Sequence, residues 1–143
     1  DAEKLCSQWG GHFALKGIMS VEDAKKAVDI GCTGIVVSNH GGRSEASGRS
    51  TIESLPEIVA SVGGQIPVLI DGGFRRGSDI FKALALGADA VCIGRPYVFG
   101  LGAFGQAGVE KVLSILRAEF RRVMQEAGVV SVDQINTNYI ERA

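Results

Sequence analysis

The sequence predicts an α/β chain that forms half of an eight-stranded parallel (β/α)8 barrel. Three observations carry this. Strand and helix patterns alternate four times within 143 residues. Two of the units resemble each other. Polar or glycine residues collect at the C-terminal end of every strand, the face on which a barrel builds its site. A complete barrel takes about 250 residues, so four βα units amount to about half of one.

The elements follow in order. HFALK (12–16) is a short apolar strand. SVEDAKKAVDIG (20–31) is a helix, with Val21, Ala24, Ala27, Val28 and Ile30 at helical spacing, Ser20 as cap and Gly31 as stop. GIVVS (34–38) is an apolar, β-branched run of the kind a parallel sheet buries on both faces. STIESLPEIVASVGG (50–64) is a second helix, with Ser50 and Glu53 in capping-box spacing. PVLID (67–71), SDIFKALALG (78–87) and AVCIG (90–94) supply the third strand, third helix and fourth strand. An amphipathic helix over about 109–127 carries Val109, Val112, Leu113, Leu116, Phe120 and Val123 on one face. Its charged residues, Glu110, Lys111, Arg117, Glu119, Arg121, Arg122 and Glu126, read as a solvated surface. Trp9, Phe13, Phe74 and Phe104 read as packing residues.

The repeat lays DAKKAVDIGCTGIVVS (23–38) over DIFKALALGADAVCIG (79–94), as stacked right-handed crossovers would. An open doubly wound sheet also fits alternation, but it would carry GxGxxG after its first strand, and none is present. The half barrel is therefore preferred, as one domain over 1–143.

Composition excludes several functions. With 15 basic and 16 acidic side chains the net charge is −1, so no electrostatic footprint for nucleic acid exists. No apolar run approaches the roughly 20 residues that span a bilayer. The first ten residues lack the character of a signal peptide, and the expected location is the cytoplasm. Peripheral membrane attachment would depend on a segment before Asp1. Cys6, Cys32 and Cys92 are odd in number and have no metal-ligand spacing, so they read as reduced packing residues and no metal is expected.

The strand ends carry the chemistry. In DGGFRR (71–76), ahead of a helix starting near Gly77 or Ser78, glycines let backbone N–H groups approach a phosphate. The helix end adds positive partial charge, and an arginine can chelate oxygens. Asp71 suits the hydroxyls of a sugar or ribityl chain beside that phosphate. IGRP (93–96) converges on the same point, which favours phosphate binding over solvated β–α turns. Lys16 is either a snorkelling strand-end lysine or a fixed cation for developing negative charge. Ser38 and His40 do not form a hydrolase pair, because no G-x-S-x-G elbow is present. His40, at a strand tip, suits general-base work, and Arg43 can hold a carboxylate bidentately. His12 reads as a surface residue.

LKG (15–17), SNHGGR (38–43), IDGGFRRGSDIFKALALGA (70–88) and IGRP (93–96) closely resemble, in order and spacing, the C-terminal half of one flavoenzyme family. These are the FMN-dependent L-2-hydroxy-acid dehydrogenases and oxidases, including flavocytochrome b2, glycolate oxidase, lactate oxidase and mandelate dehydrogenase. The resemblance covers nearly the whole chain. It implies a (β/α)8 (TIM) barrel of which this chain supplies the fifth to eighth units, and FMN as cofactor. It implies oxidation of an L-2-hydroxy acid to the 2-oxo acid. Lys16 would contact the N1/O2 edge of the flavin, with Ser38 lining the ring. His40 would be the base, bound to substrate together with the carboxylate clamp Arg43. Asp71 would hold the ribityl chain, and Gly72, Gly73, Phe74, Arg75, Gly94 and Arg95 the phosphate. Family members often form homotetramers, an assembly the resemblance extends to this chain.

Two departures stand out. Where the family usually continues GGR with Gln-Leu-Asp, this chain has Ser44-Glu45-Ala46. The family's N-terminal half, with its substrate tyrosines and the aspartate partner of the base, is absent. The chain is accordingly expected to work beside a complementary N-terminal half. Two alternatives are a half-barrel module that binds phosphate or flavin without catalysis, and another FMN-dependent barrel oxidoreductase. An IMP-dehydrogenase-like enzyme would want a cysteine near the phosphate loops, where neither Cys32 nor Cys92 is expected.

Overall fold

A computed structural model describes residues 1–43 and 46–141. Ser44 and Glu45, two of the three residues that depart from the family pattern, lie outside the described residues. The element order is α1 (Ala2–Trp9), β1 (Ala14–Ile18), α2 (Val21–Asp29), β2 (Gly34–Val37), α3 (Thr51–Val62), β3 (Val68–Ile70), α4 (Gly77–Ala85), β4 (Ala90–Val91) and α5 (Arg95–Glu126). Two short 3-10 turns, Val132–Gln134 and Thr137–Tyr139, follow.

The four strands form one parallel sheet in the order β1-β2-β3-β4. Sequential order is what right-handed βα crossovers of one sense produce in a barrel wall. Among the described residues β1 and β4 each pair on one side only, so both edges are open. The apolar strand runs are buried as expected: Ile35, Val37 and Ile70 are inaccessible to solvent, and Leu55, Ile58 and Val62 of α3 cover them. A second cluster joins Phe81 and Ala85 of α4 to Phe120 of α5, Val129 and Ile135, so the chain's last turns close over the two helices.

The predicted stops and caps do their work locally. Ser20 Oγ accepts the amide of Asp23, and Glu53 accepts from the backbone N–H of Ser50 at 2.7 Å. Gly63 ends α3 with φ of 59°, a left-handed turn that costs glycine little.

Three expectations need correction. Residues 2–9, given no element above, form α1, whose apolar positions Ala2, Leu5, Cys6 and Trp9 recur at helical spacing but bury no residue. α5 contains the helix expected over about 109–127 as its second limb and adds an unexpected first limb from Arg95. It breaks at Phe104 and Gly105, where φ reaches 59°, and its second limb folds back across the first with Gly100 and Gly108 in backbone contact. Four glycines between 100 and 108 hid that first limb from a propensity reading. Trp9 and Phe104, expected to pack, are 68% and 79% exposed, while Phe74 is buried.

Candidate active site

Parallel register levels the strand ends. Val37 pairs with Ile70 and Ile70 with Val91, so the next residues, Ser38, Asp71 and Cys92, sit side by side at the C-terminal edge. Lys16 of β1 reaches across: its ammonium donates to Ser38 Oγ at 2.9 Å and pairs with Asp71 Oδ2 at 3.0 Å. Ser38, 1% exposed, also accepts the His40 amide at 3.2 Å, so one hydroxyl ties the lysine to the base of the next turn.

That turn is unusual. His40, Gly41 and Gly42 have φ of 54°, 75° and 81°, three successive left-handed residues, and His40 is the one non-glycine among the described residues with positive φ. Such a conformation is sparsely populated outside glycine and persists only where surroundings impose it. Here Asn39 imposes it: its side-chain and backbone oxygens both accept the Gly42 amide at 3.0 Å, and its carbonyl accepts that of Arg43. The tight reversal lifts the imidazole and the guanidinium off the strand axis.

A cavity of about 690 Å³ opens at this edge, within the range of small-molecule sites. Lys16, His40, Arg43, Asp71, Gly72, Gly73, Phe74, Arg75, Gly94 and Arg95 all line it; Ser38 lies beneath, under Lys16. The structure thus gathers every residue the sequence singles out. Gly41, Cys92 and Ile93 line it too and were not anticipated. Counting strand register from VVS, LID and AVC would have found Cys92. Its thiol lies near the glycine and arginine of the fourth strand end, contrary to expectation. Burial pushes its pKa up, the Asp71 charge adds to this, and the Lys16 ammonium opposes it.

Among the described residues, four cations, Lys16, Arg43, Arg75 and Arg95, face one carboxylate, Asp71, around this cavity. The chain as a whole is nearly neutral, so this excess is local and favours an anionic occupant. Arg95 reaches across from the end of β4 until its Nη2 lies 3.6 Å from where a side chain on Gly41 would begin.

One part of the phosphate expectation changes. The amides before α4 are already satisfied: Asp79 Oδ2 accepts those of Arg75 and Arg76, each at 2.9 Å, and Glu119 Oε2 accepts that of Gly77 at 2.9 Å. Those three amides at the start of α4 are therefore already engaged. Glu119, expected to be merely solvated, also pairs with Arg76 at 3.1 Å. The helix end at this cavity belongs to α5, whose N-cap Gly94 and first residue Arg95 both line it.

An FMN-binding fold of the parallel α/β barrel class is what this arrangement describes, and comparison with known proteins agrees. Residues 1–142 match the FMN-dependent dehydrogenase family, and the chain belongs to it. It is 54% identical over 128 residues to the pre-mycofactocin synthase of Mycobacterium tuberculosis, covering 90% of this chain and 32% of that one. It is 53% identical over 126 residues to a peroxisomal (S)-2-hydroxyacid oxidase of Arabidopsis thaliana, covering 88% and 35%. A soluble mutant of the membrane-associated (S)-mandelate dehydrogenase from Pseudomonas putida superposes with a TM-score of 0.94 at 42% identity, over 99% of this chain and 40% of that one. The chain thus spans about a third of the length of the curated relatives it matches, and its four-stranded sheet corresponds to half a barrel. FMN is the cofactor this membership indicates. No helix among the described residues is long and apolar enough to cross a membrane.

Proposed function

We propose that this chain provides the FMN- and substrate-facing half of an enzyme that oxidises an L-2-hydroxy acid, of lactate, glycolate or mandelate type, to the 2-oxo acid. The observation that carries this is the convergence of His40, four cations and the Asp71 carboxylate in one cavity. The reaction removes two protons and two electrons from an anionic substrate. That calls for a base, a carboxylate partner and positive charge placed in advance.

The residues fit the cofactor on an observation independent of family. Asp71 Oδ1 is buried and has no hydrogen-bond partner among the described residues, whereas Oδ2 is held by Lys16. A buried acceptor without a donor is costly, so the site favours a ligand that brings hydroxyl groups. The ribityl chain of FMN does so. Gly72 and Gly73, Phe74, Arg75, Gly94 and Arg95 would hold its phosphate, and Lys16 with Ser38 would face the ring. When bound, FMN supplies the acceptor for the two electrons.

Arg43 holds the substrate carboxylate by a bidentate contact and fixes the orientation of C2. His40 takes a proton at its imidazole, either from C2 or from the hydroxyl group. Lys16 places a fixed positive charge at the level of the strand ends and offsets negative charge that develops there. The open edges of β1 and β4, with the exposed Tyr97, Val98, Phe99 and Leu101 of α5, support the need for a complementary N-terminal half.

Absorbance under nitrogen tests this. Flavin bands should form in the protein assembled with its complementary half and bleach on addition of L-lactate, glycolate or L-mandelate. His40→Gln should keep the bands and lose the bleaching. Bands that form but never bleach would favour a flavin-binding module. A stable 143-residue monomer carrying stoichiometric FMN would remove the need for the other half. The match to a synthase favours a second reading, an FMN-dependent oxidation of a different substrate class. Bleaching by none of the three acids but by an added substrate that is not a 2-hydroxy acid would establish it.

A further inference from the structure

Gly17 interrupts β1. Lys16 stands opposite Val36, yet the next paired residue, Ile18, stands opposite Val37, so Gly17 is the extra residue of a bulge. Its φ is 97°, a conformation L side chains rarely adopt. A methyl group placed on Gly17 would lie 2.8 Å from Cε1 of His40 and 3.5 Å from Nε2. The imidazole therefore occupies the space that the missing side chain leaves. The His40 backbone itself is left-handed, and its amide donates to Ser38 Oγ.

We infer that Gly17 is a positioning residue for His40: the bulge in β1 and the absent side chain form the seat against which the imidazole rests. The functional part of this rests on the reading of His40 as base. The His40 side chain is exposed, and its backbone turn alone leaves χ1 and χ2 free to rotate. Contact with the neighbouring strand removes that freedom, and it does so beside Lys16, the residue preceding the bulge. Base and cation are thereby referred to the same short piece of backbone.

Three measurements test the seat. In the unsubstituted chain a nuclear Overhauser effect between a Gly17 Hα and the His40 Hε1 proton is expected; its absence from a spectrum that shows both overturns the inference. Histidine labelled with carbon-13 gives two imidazole signals, from His12 and His40. Gly17→Ala should shift that of His40 and leave that of His12. Gly31→Ala is the strain control, with φ of 84° and nothing within 4 Å of an added side chain; it should shift neither. In the FMN-loaded protein, Gly17→Ala should slow flavin reduction at saturating hydroxy acid about 10²-fold, as a displacement near 1 Å can, with KM little changed. Added to His40→Ala, the same substitution should cost less than twofold. An equal loss in both backgrounds, or a matching loss from Gly31→Ala, would assign the effect to backbone strain and overturn the inference. Should no acid reduce the flavin of the unsubstituted protein, the proposed reaction fails while the two resonance measurements still judge the seat. Should Gly17→Ala not fold, the Overhauser effect decides alone.

Discussion

The Lys16 ammonium stands 3.0 Å from the Asp71 carboxylate, bridging the ends of β1 and β3 across β2. With side chains 48% and 19% exposed, the pair adds little to stability, about 0–1 kcal/mol. Its importance is positional. Lys16 occupies one carboxylate oxygen and leaves the buried Oδ1 for a ligand.

Asp71→Asn should therefore weaken FMN binding by at least about tenfold while changing stability by less than about 1 kcal/mol. A hydrogen bond to a charged group contributes about 1.5–3 kcal/mol, and the surface share of the pair is small. Quenching of flavin fluorescence on titration gives the first quantity and urea unfolding the second.

Glu119→Ala should destabilise the fold by about 0.5–2 kcal/mol, because the Gly77 amide loses its acceptor and Arg76 its partner. Glu119→Gln should lose less, since its amide oxygen still accepts from Gly77. Urea midpoints of the two variants, compared at constant slope, check the order.

Gly77→Ala should cost more, about 3 kcal/mol, because the added methyl would meet the backbone nitrogen of Phe120, which cannot rotate away. The loss should show as a lower midpoint in far-ultraviolet circular dichroism. Fluorescence of Trp9, exposed on α1, should be insensitive to it.

Cys92 should react slowly with iodoacetamide at pH 8, because burial and the Asp71 charge raise its pKa and suppress the thiolate. The sign for stability follows. A thiol whose folded pKa lies above its unfolded value favours the folded state most at low pH, and that contribution declines as pH climbs through the ordinary thiol range toward the raised value. Lys16→Met removes the one opposing influence and should slow alkylation further. Mass spectrometry of the modified chain against pH measures both effects.

Much of the site was legible before any coordinates. Strands buried on both faces read as apolar runs, so the first polar residue after each run announces a strand end, as Ser38 and Asp71 do. The glycines of SNHGGR and DGGF marked backbone that bends where side-chain chemistry begins. Cys92 escaped this reading because a thiol continues an apolar run without a break, and Glu119 because a carboxylate on a charged helix face gives no sign of its partner 42 residues away.

By itself, the sequence determined the four βα units, the strand-end face at which the cavity opens and most of the residues that line that cavity. Parallel strands and glycine-rich turns leave local patterns, and local patterns survive in one dimension. Only the tertiary structure decided which amides at the start of α4 are already engaged, which Asp71 oxygen lacks a donor among the described residues, and that Gly17 and His40 share one space. Those are relations between strands and helices far apart in the chain, set by register and packing.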